Sequence, residues 1–164
     1  MKVILSLIIG AILGIAALQI PAVQQVIGKS LAPQMLIEVE SPLDFYDTMD
    51  KVIENAKAAG WKVPGKWSVN FQRNLEKVTG VDIGNNQVIK MCEPEAAVKI
   101  LKHDQYKVLT TMMPCTIAVY DKSDGKTYIS YMNLEMLGLM YGGEIAKIAD
   151  DLAPQMKKMV TLSK

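Results

Sequence analysis

The sequence predicts an α+β domain: a mainly antiparallel sheet of about four to five strands with helices packed on one face, preceded by one transmembrane helix. Three observations predict it. Two alternating segments, CTIAVY at 115–120 and TYISYM at 127–132, flank a turn holding Asp124-Gly125, the pattern of a hairpin. Helical stripes interleave with strand-like runs from residue 35 onward. An uncharged run, VILSLIIGAILGIAALQI, fills residues 3–20.

The apolar run comes first. At about 1.5 Å per residue, roughly 18–20 residues cross a hydrocarbon core of roughly 30 Å. A cleaved signal peptide has a shorter apolar region, about 7–15 residues, and a small-residue cleavage site. Gln19-Ile20-Pro21-Ala22 fits such a site poorly. The favoured reading is an uncleaved signal anchor over 1–21, with a cleaved signal as the alternative. Lys2 precedes the run and the next charge is Lys29. The positive-inside tendency then puts the N-terminus in the cytoplasm and everything after Pro21 on the periplasmic or extracellular side of the inner (cytoplasmic) membrane. Residues 22–34, with Gln24, Gln25, Gly28 and Pro33, read as a tether. Residues 35–164 are enough for one soluble domain.

Within that domain MLIEVE at 35–40 alternates like a strand. Ser41-Pro42 then predicts a helix start, with Ser41 as cap and Asp44 favouring the N-terminal dipole. Leu43, Tyr46, Asp47, Met49, Val52, Ile53 and Ala56 form a stripe with one polar intruder, and Gly60 closes the helix. Residues 61–71 predict a strand broken at Pro64-Gly65. Residues 70–79 predict a short helix and 88–92 a strand. Glu93-Pro94 opens a helix running to about His103. After the hairpin, 134–141 and 144–160 predict two helices separated by Gly142-Gly143, with a kink or early end at Pro154.

Composition narrows the function classes. Half of the 164 residues are hydrophobic, the mean hydropathy is positive, and the formal net charge is only +1. Without a basic block, nucleic acid is not an expected partner. Two cysteines are too few for a disulfide framework, and one histidine excludes multi-histidine sites within a chain. Eleven methionines stand against two phenylalanines.

Gly60-Trp61, Cys92-Glu93-Pro94 and above all Met112-Met113-Pro114-Cys115 leading into IAVYDKSDGKTYIS resemble the domain-of-unknown-function 302 family. The resemblance runs from about Leu36 to Val160. It implies a compact α+β domain, often a homodimer, found alone or behind an export signal in bacteria and archaea. It implies no established enzymatic activity.

Three constellations carry candidate chemistry. Pro114 has no backbone N–H and pushes Met113 toward extended geometry, so Cys115 enters its strand in a restricted setting. Cys115, Met113 and Cys92 are therefore candidate cofactor-binding residues, because thiolate and thioether are soft donors suited to copper(I) or haem iron. A buried, inert cysteine is the bland alternative. A disulfide between Cys92 and Cys115 is another, since one ends a strand and the other begins one in an oxidising compartment. Met132, Met136 and Met140 fall four residues apart, flanked by Leu137 and Leu139, which predicts one helical face. That face reads as core or dimer contact, or as a wall in which Met136 and Met140 touch a cofactor. His103, followed by Asp104, suits a helix C-terminus and is the other candidate metal residue beside Cys115. Asp150-Asp151 and Glu93 with Glu95 read as solvated helix residues. The glycines at 138, 142 and 143 do not make a phosphate loop.

These observations leave a membrane-anchored binding domain for a small apolar or soft-metal ligand, or haem, as the leading expectation. A thiol redox protein using Cys92 and Cys115 and a noncatalytic dimeric interaction module are the alternatives. No set of catalytic residues is visible.

Overall fold

The computed structural model of the protein describes Gln25 and residues 30–163. The chain divides into two units, Met1–Met35 and Leu36–Lys164. In the first, a 3-10 turn at Ala32–Gln34 has proline in its first turn, and Gln34 Nε2 donates to the Ser30 carbonyl at 3.1 Å. The expected anchor at 1–21 lies outside the described residues. Among the described residues no helix is long and apolar enough to cross a membrane.

The second unit is built on five strands: β1 (Leu36–Glu40), β2 (Val69–Asn70), β3 (Asn86–Met91), β4 (Cys115–Asp121) and β5 (Thr127–Met132). They lie in the order β1-β5-β4-β3-β2, and every pairing is antiparallel. Alternation along the strands decides the two faces. Ile89, Met91, Ile117, Val119, Ile129 and Tyr131 are buried on one of them. Helix α1 (Phe45–Ala58) covers that face with Phe45, Met49, Val52 and Ala56. The other face carries Glu38, Glu40, Lys90, Thr116, Ala118, Tyr120, Tyr128 and Ser130, as the register requires.

The hairpin forms as the sequence predicts. The helix expected from Ser41 starts later, at Phe45, and Asp44 is its cap, with Oδ1 accepting from the Asp47 N–H at 2.9 Å. Ser41 is held elsewhere. Its N–H donates to the Thr127 carbonyl at 2.8 Å, and its hydroxyl meets that of Thr48 at 2.6 Å in the interior. The first bond keeps residue 41 with the sheet and the second ties it to the first turn of α1.

The expected broken strand at 61–71 resolves into three pieces: a lone bridge between Lys62 and Cys92, a 3-10 turn at Gly65–Trp67, and β2. Pro64, at the start of the turn, supplies no N–H for a ladder. Helix α2 (Phe71–Thr79) follows, capped by Asn70 and closed by Gly80 at φ +72°. Helix α3 (Pro94–Leu101) is capped by Glu93, and a 3-10 stretch at Asp104–Met112, for which the sequence offers no periodic signal, leads to β4.

After β5 come α4 (Leu134–Tyr141) and α5 (Gly143–Val160), which pack on each other. Of the expected kink or early end at Pro154, the early end does not occur: α5 continues to Val160. Proline removes only one backbone bond, to the Asp150 carbonyl, and α5 is buried on both sides of it through Ile148, Ala149, Met156 and Met159. Packing outweighs the missing bond.

Candidate functional site

Two apolar clusters form in the second unit. One is the sheet with α1 and the C-terminal half of α5. The other joins Ala96 and Ile100 of α3, Leu109 of the 3-10 stretch, and Ile145 and Ile148 of α5. Both clusters wall a cavity of about 400 Å³. Its apolar wall includes Leu109, Met112, Met113, Leu137, Ile148 and Leu152, and Thr116 and Ala118 contribute from the sheet. The volume falls within the range of small-molecule pockets, roughly 300–1,000 Å³.

The Met-Pro-Cys element forms one edge of it. Met113 is extended, at φ −112° and ψ 146°, as a residue before proline favours, and the Met113–Pro114 peptide is cis. Cys115 then opens β4 opposite Met91. Met112, Met113, Cys115, Met132 and Met156 all line the cavity, so five sulfur-bearing side chains share its wall.

The structure separates the other expected site residues from this group. Cys92, His103, Met136 and Met140 are not among the lining residues. Met132 ends β5 and therefore does not continue the helical face of Met136 and Met140. Gly138 orients α4: it is buried against Ala146 and Ala149 of α5, which brings Leu134 and Leu137 to the cavity and leaves Met140 64% exposed. His103 Nε2 lies 3.6 Å from Glu144 Oε2, and its ring meets Tyr106 edge-on at 6.1 Å. Its N–H donates to the Ile100 carbonyl at 3.2 Å, so its backbone does serve the end of α3. Among the described residues no group of three or more His, Cys, Asp or Glu side chains is placed to hold a metal ion.

The two cysteines are free, not bridged. Burial pushes the Cys115 thiol up to about 11, with a smaller contribution from Cys92. Burial also raises Cys92, helped by Glu93. Both are therefore thiols near neutral pH, the weak form for attack or ligation.

Among the described residues Lys90 is the one charged residue lining the cavity. It stands opposite Thr116 in the β3–β4 ladder. The sequence reading passed over it, although the alternation of 88–92 marks it as the polar position of its strand. It also passed over Ile145, Ile148 and Leu152, whose spacing in the last helix is a legible stripe.

The rest of the open sheet face is electrostatically closed. Glu38 accepts from the Tyr120 hydroxyl and from Lys122 Nζ, the latter at 2.6 Å, and these bonds hold its carboxyl below the usual range. Lys126 pairs with Glu40 at 2.8 Å.

Comparison with known proteins agrees with this architecture. No curated protein matches the chain. Among solved structures, the uncharacterized conserved protein DUF302 from Bacillus stearothermophilus superposes with a TM-score of 0.66 at 22% identity, over 77% of this chain and 95% of that one. At that identity the likeness shows the fold. The family described as "Domain of unknown function DUF302" matches residues 37–162, most of the second unit, and the chain belongs to that family.

Proposed function

We propose that the protein is a binding domain rather than an enzyme, and that its cavity takes a small, largely apolar molecule. The observation that carries the reading is the cavity itself: about 400 Å³, walled by two apolar clusters and edged by the Met-Pro-Cys element. Among the described residues its ionisable lining groups are Lys90, Cys115 and Tyr131. They offer no carboxylate–histidine or paired-carboxylate set for acid–base work. Methionines suit such a wall because their flexible thioethers adapt to differently shaped guests.

The apolar run at 3–20 supports placing this domain on the exported side of the membrane, tethered by an uncleaved anchor. Intact mass of membrane-extracted protein should include residue 1. A chain starting near Val23 removes the anchor. Exposed Leu139, Met140 and Tyr141 on α4 support a homodimer.

A soft-metal or haem centre is a second reading, favoured by the five sulfur-bearing side chains on one wall. Burial, which raises the Cys115 thiol, weighs against a thiol redox couple, because the thiolate is the nucleophile.

The test uses the full chain and an uncharged fluorescent probe, N-phenyl-1-naphthylamine. Saturable enhancement is expected for wild type, and its loss is expected for Ala118→Trp, which fills the cavity from the sheet. Equal enhancement by both proteins at equal lipid removes the apolar-ligand reading. Visible absorbance of protein from its native membrane decides the haem reading.

A further inference from the structure

We propose that the ligand of the cavity is a single-chain amphiphile with one anionic head group, its tail in the apolar cavity and its head on Lys90. The inference rests on the apolar-ligand reading above and adds the head group to it.

Three lysines serve the open face of the sheet, and two are neutralised: Lys122 by Glu38 at 2.6 Å and Lys126 by Glu40 at 2.8 Å. Lys90 makes no ion pair among the described residues, and it is the lysine at the cavity. It is half-buried on β3, an interior strand, a setting in which a lysine can pack its stem and keep its ammonium in water. A cation at an apolar wall is a costly arrangement unless an anion or solvent satisfies it. A bound carboxylate would supply that partner.

Polarity is also distributed for such a guest. Thr116 stands opposite Lys90 in the ladder and Thr111 lies in the last turn of the 3-10 stretch; both line the cavity, and their hydroxyls donate to the Pro114 and Val108 carbonyls. Most of the remaining wall is Leu, Ile, Met and Ala side chains, with Pro114, Cys115, Ser130 and Tyr131 among them, and it offers an alkyl chain mainly dispersion contacts. A cavity of about 400 Å³ lies toward the lower end of ligand pockets, which favours one chain over a two-chain lipid. A dianion or a metal chelate would bring more charge than one lysine balances.

The experiment is photo-crosslinking of the full chain with decanoic acid and decanol, each carrying a diazirine on its tail, followed by peptide mapping. Wild type should be labelled saturably by both probes on the segments around Met112–Cys115 and Ile145–Leu152. Lys90→Met keeps the stem and removes the charge. It should lower decanoic acid labelling at limiting probe roughly tenfold and leave decanol labelling in place. Lys90→Arg should retain decanoic acid labelling, and Lys90→Gln serves if the methionine variant does not fold. Equal decanoic acid labelling of wild type and Lys90→Met overturns the head-group assignment while the apolar cavity stands. Failure of both probes to label the cavity segments of wild type overturns both readings.

Discussion

A Cβ placed on Gly138 of α4 would lie 2.9 Å from the Cβ of Ala149 on α5, and 3.2 Å from the Cα of Ala146. The two helices therefore meet backbone to side chain, with glycine as the only residue that fits without a shift. This approach turns Leu134 and Leu137 toward the cavity.

Gly138→Ala tests that contact. Alanine favours the helix by about 1 kcal/mol, but overpacking costs typically about 1–3 kcal/mol. The expected result is a net loss of up to about 2 kcal/mol, seen as a lower urea midpoint at unchanged slope. A gain in stability would mean the helices can separate freely.

Cys115 gives a pH dependence with a fixed sign. Its folded value, about 11, lies above the ordinary 9.0, so the folded state holds the proton more tightly. The stabilisation is complete below about pH 9 and is lost as pH rises through about 11, on the order of 2–3 kcal/mol in all. Cys115→Ser should remove this component from the stability profile between pH 9 and 11. An identical alkaline loss in the variant would assign it to other groups.

Asp44 and Ser41 exchange the roles that the sequence suggests. Asp44→Ala should cost about 1 kcal/mol by loss of the α1 cap. Ser41→Ala removes an interior hydroxyl bonded to Thr48 and should cost about 1–2 kcal/mol without changing where α1 starts. Denaturant melts give the costs, and amide exchange at Asp47 separates the two: only the Asp44 variant should lose protection there.

The homodimer proposal predicts twice the chain mass in light scattering after correction for detergent. Leu139→Lys with Met140→Lys should shift it to one chain mass, since both side chains are exposed on α4. A monomer in wild type at all concentrations removes the proposal.

Much of this architecture is local and therefore legible in sequence. Alternation in CTIAVY and TYISYM with Asp124-Gly125 between them defines β4 and β5, because one strand face is buried and the turn needs glycine at φ +76°. The helix starts at Asn70 and Glu93-Pro94 are equally local, each a side chain accepting from N–H groups two or three residues ahead. The extended backbone of Met113 before Pro114 is local for the same reason: proline restricts its neighbours whatever the fold.

What only the tertiary structure decides is which of these local elements meet. Met132, Met136 and Met140 share a spacing, but a strand end separates the first from the others, and Gly138 turns the helix by its contact with Ala149. Lys90 is an unremarkable strand position until its neighbours Thr116 and Ala118 form part of an apolar cavity. Pro154 ends a helix in isolation and fails to do so here, because burial of Met156 and Met159 outweighs one lost hydrogen bond. Local rules act within a few residues, whereas the cavity draws on side chains from Leu36 to Met156. Only packing across that distance selects among the faces the sequence allows.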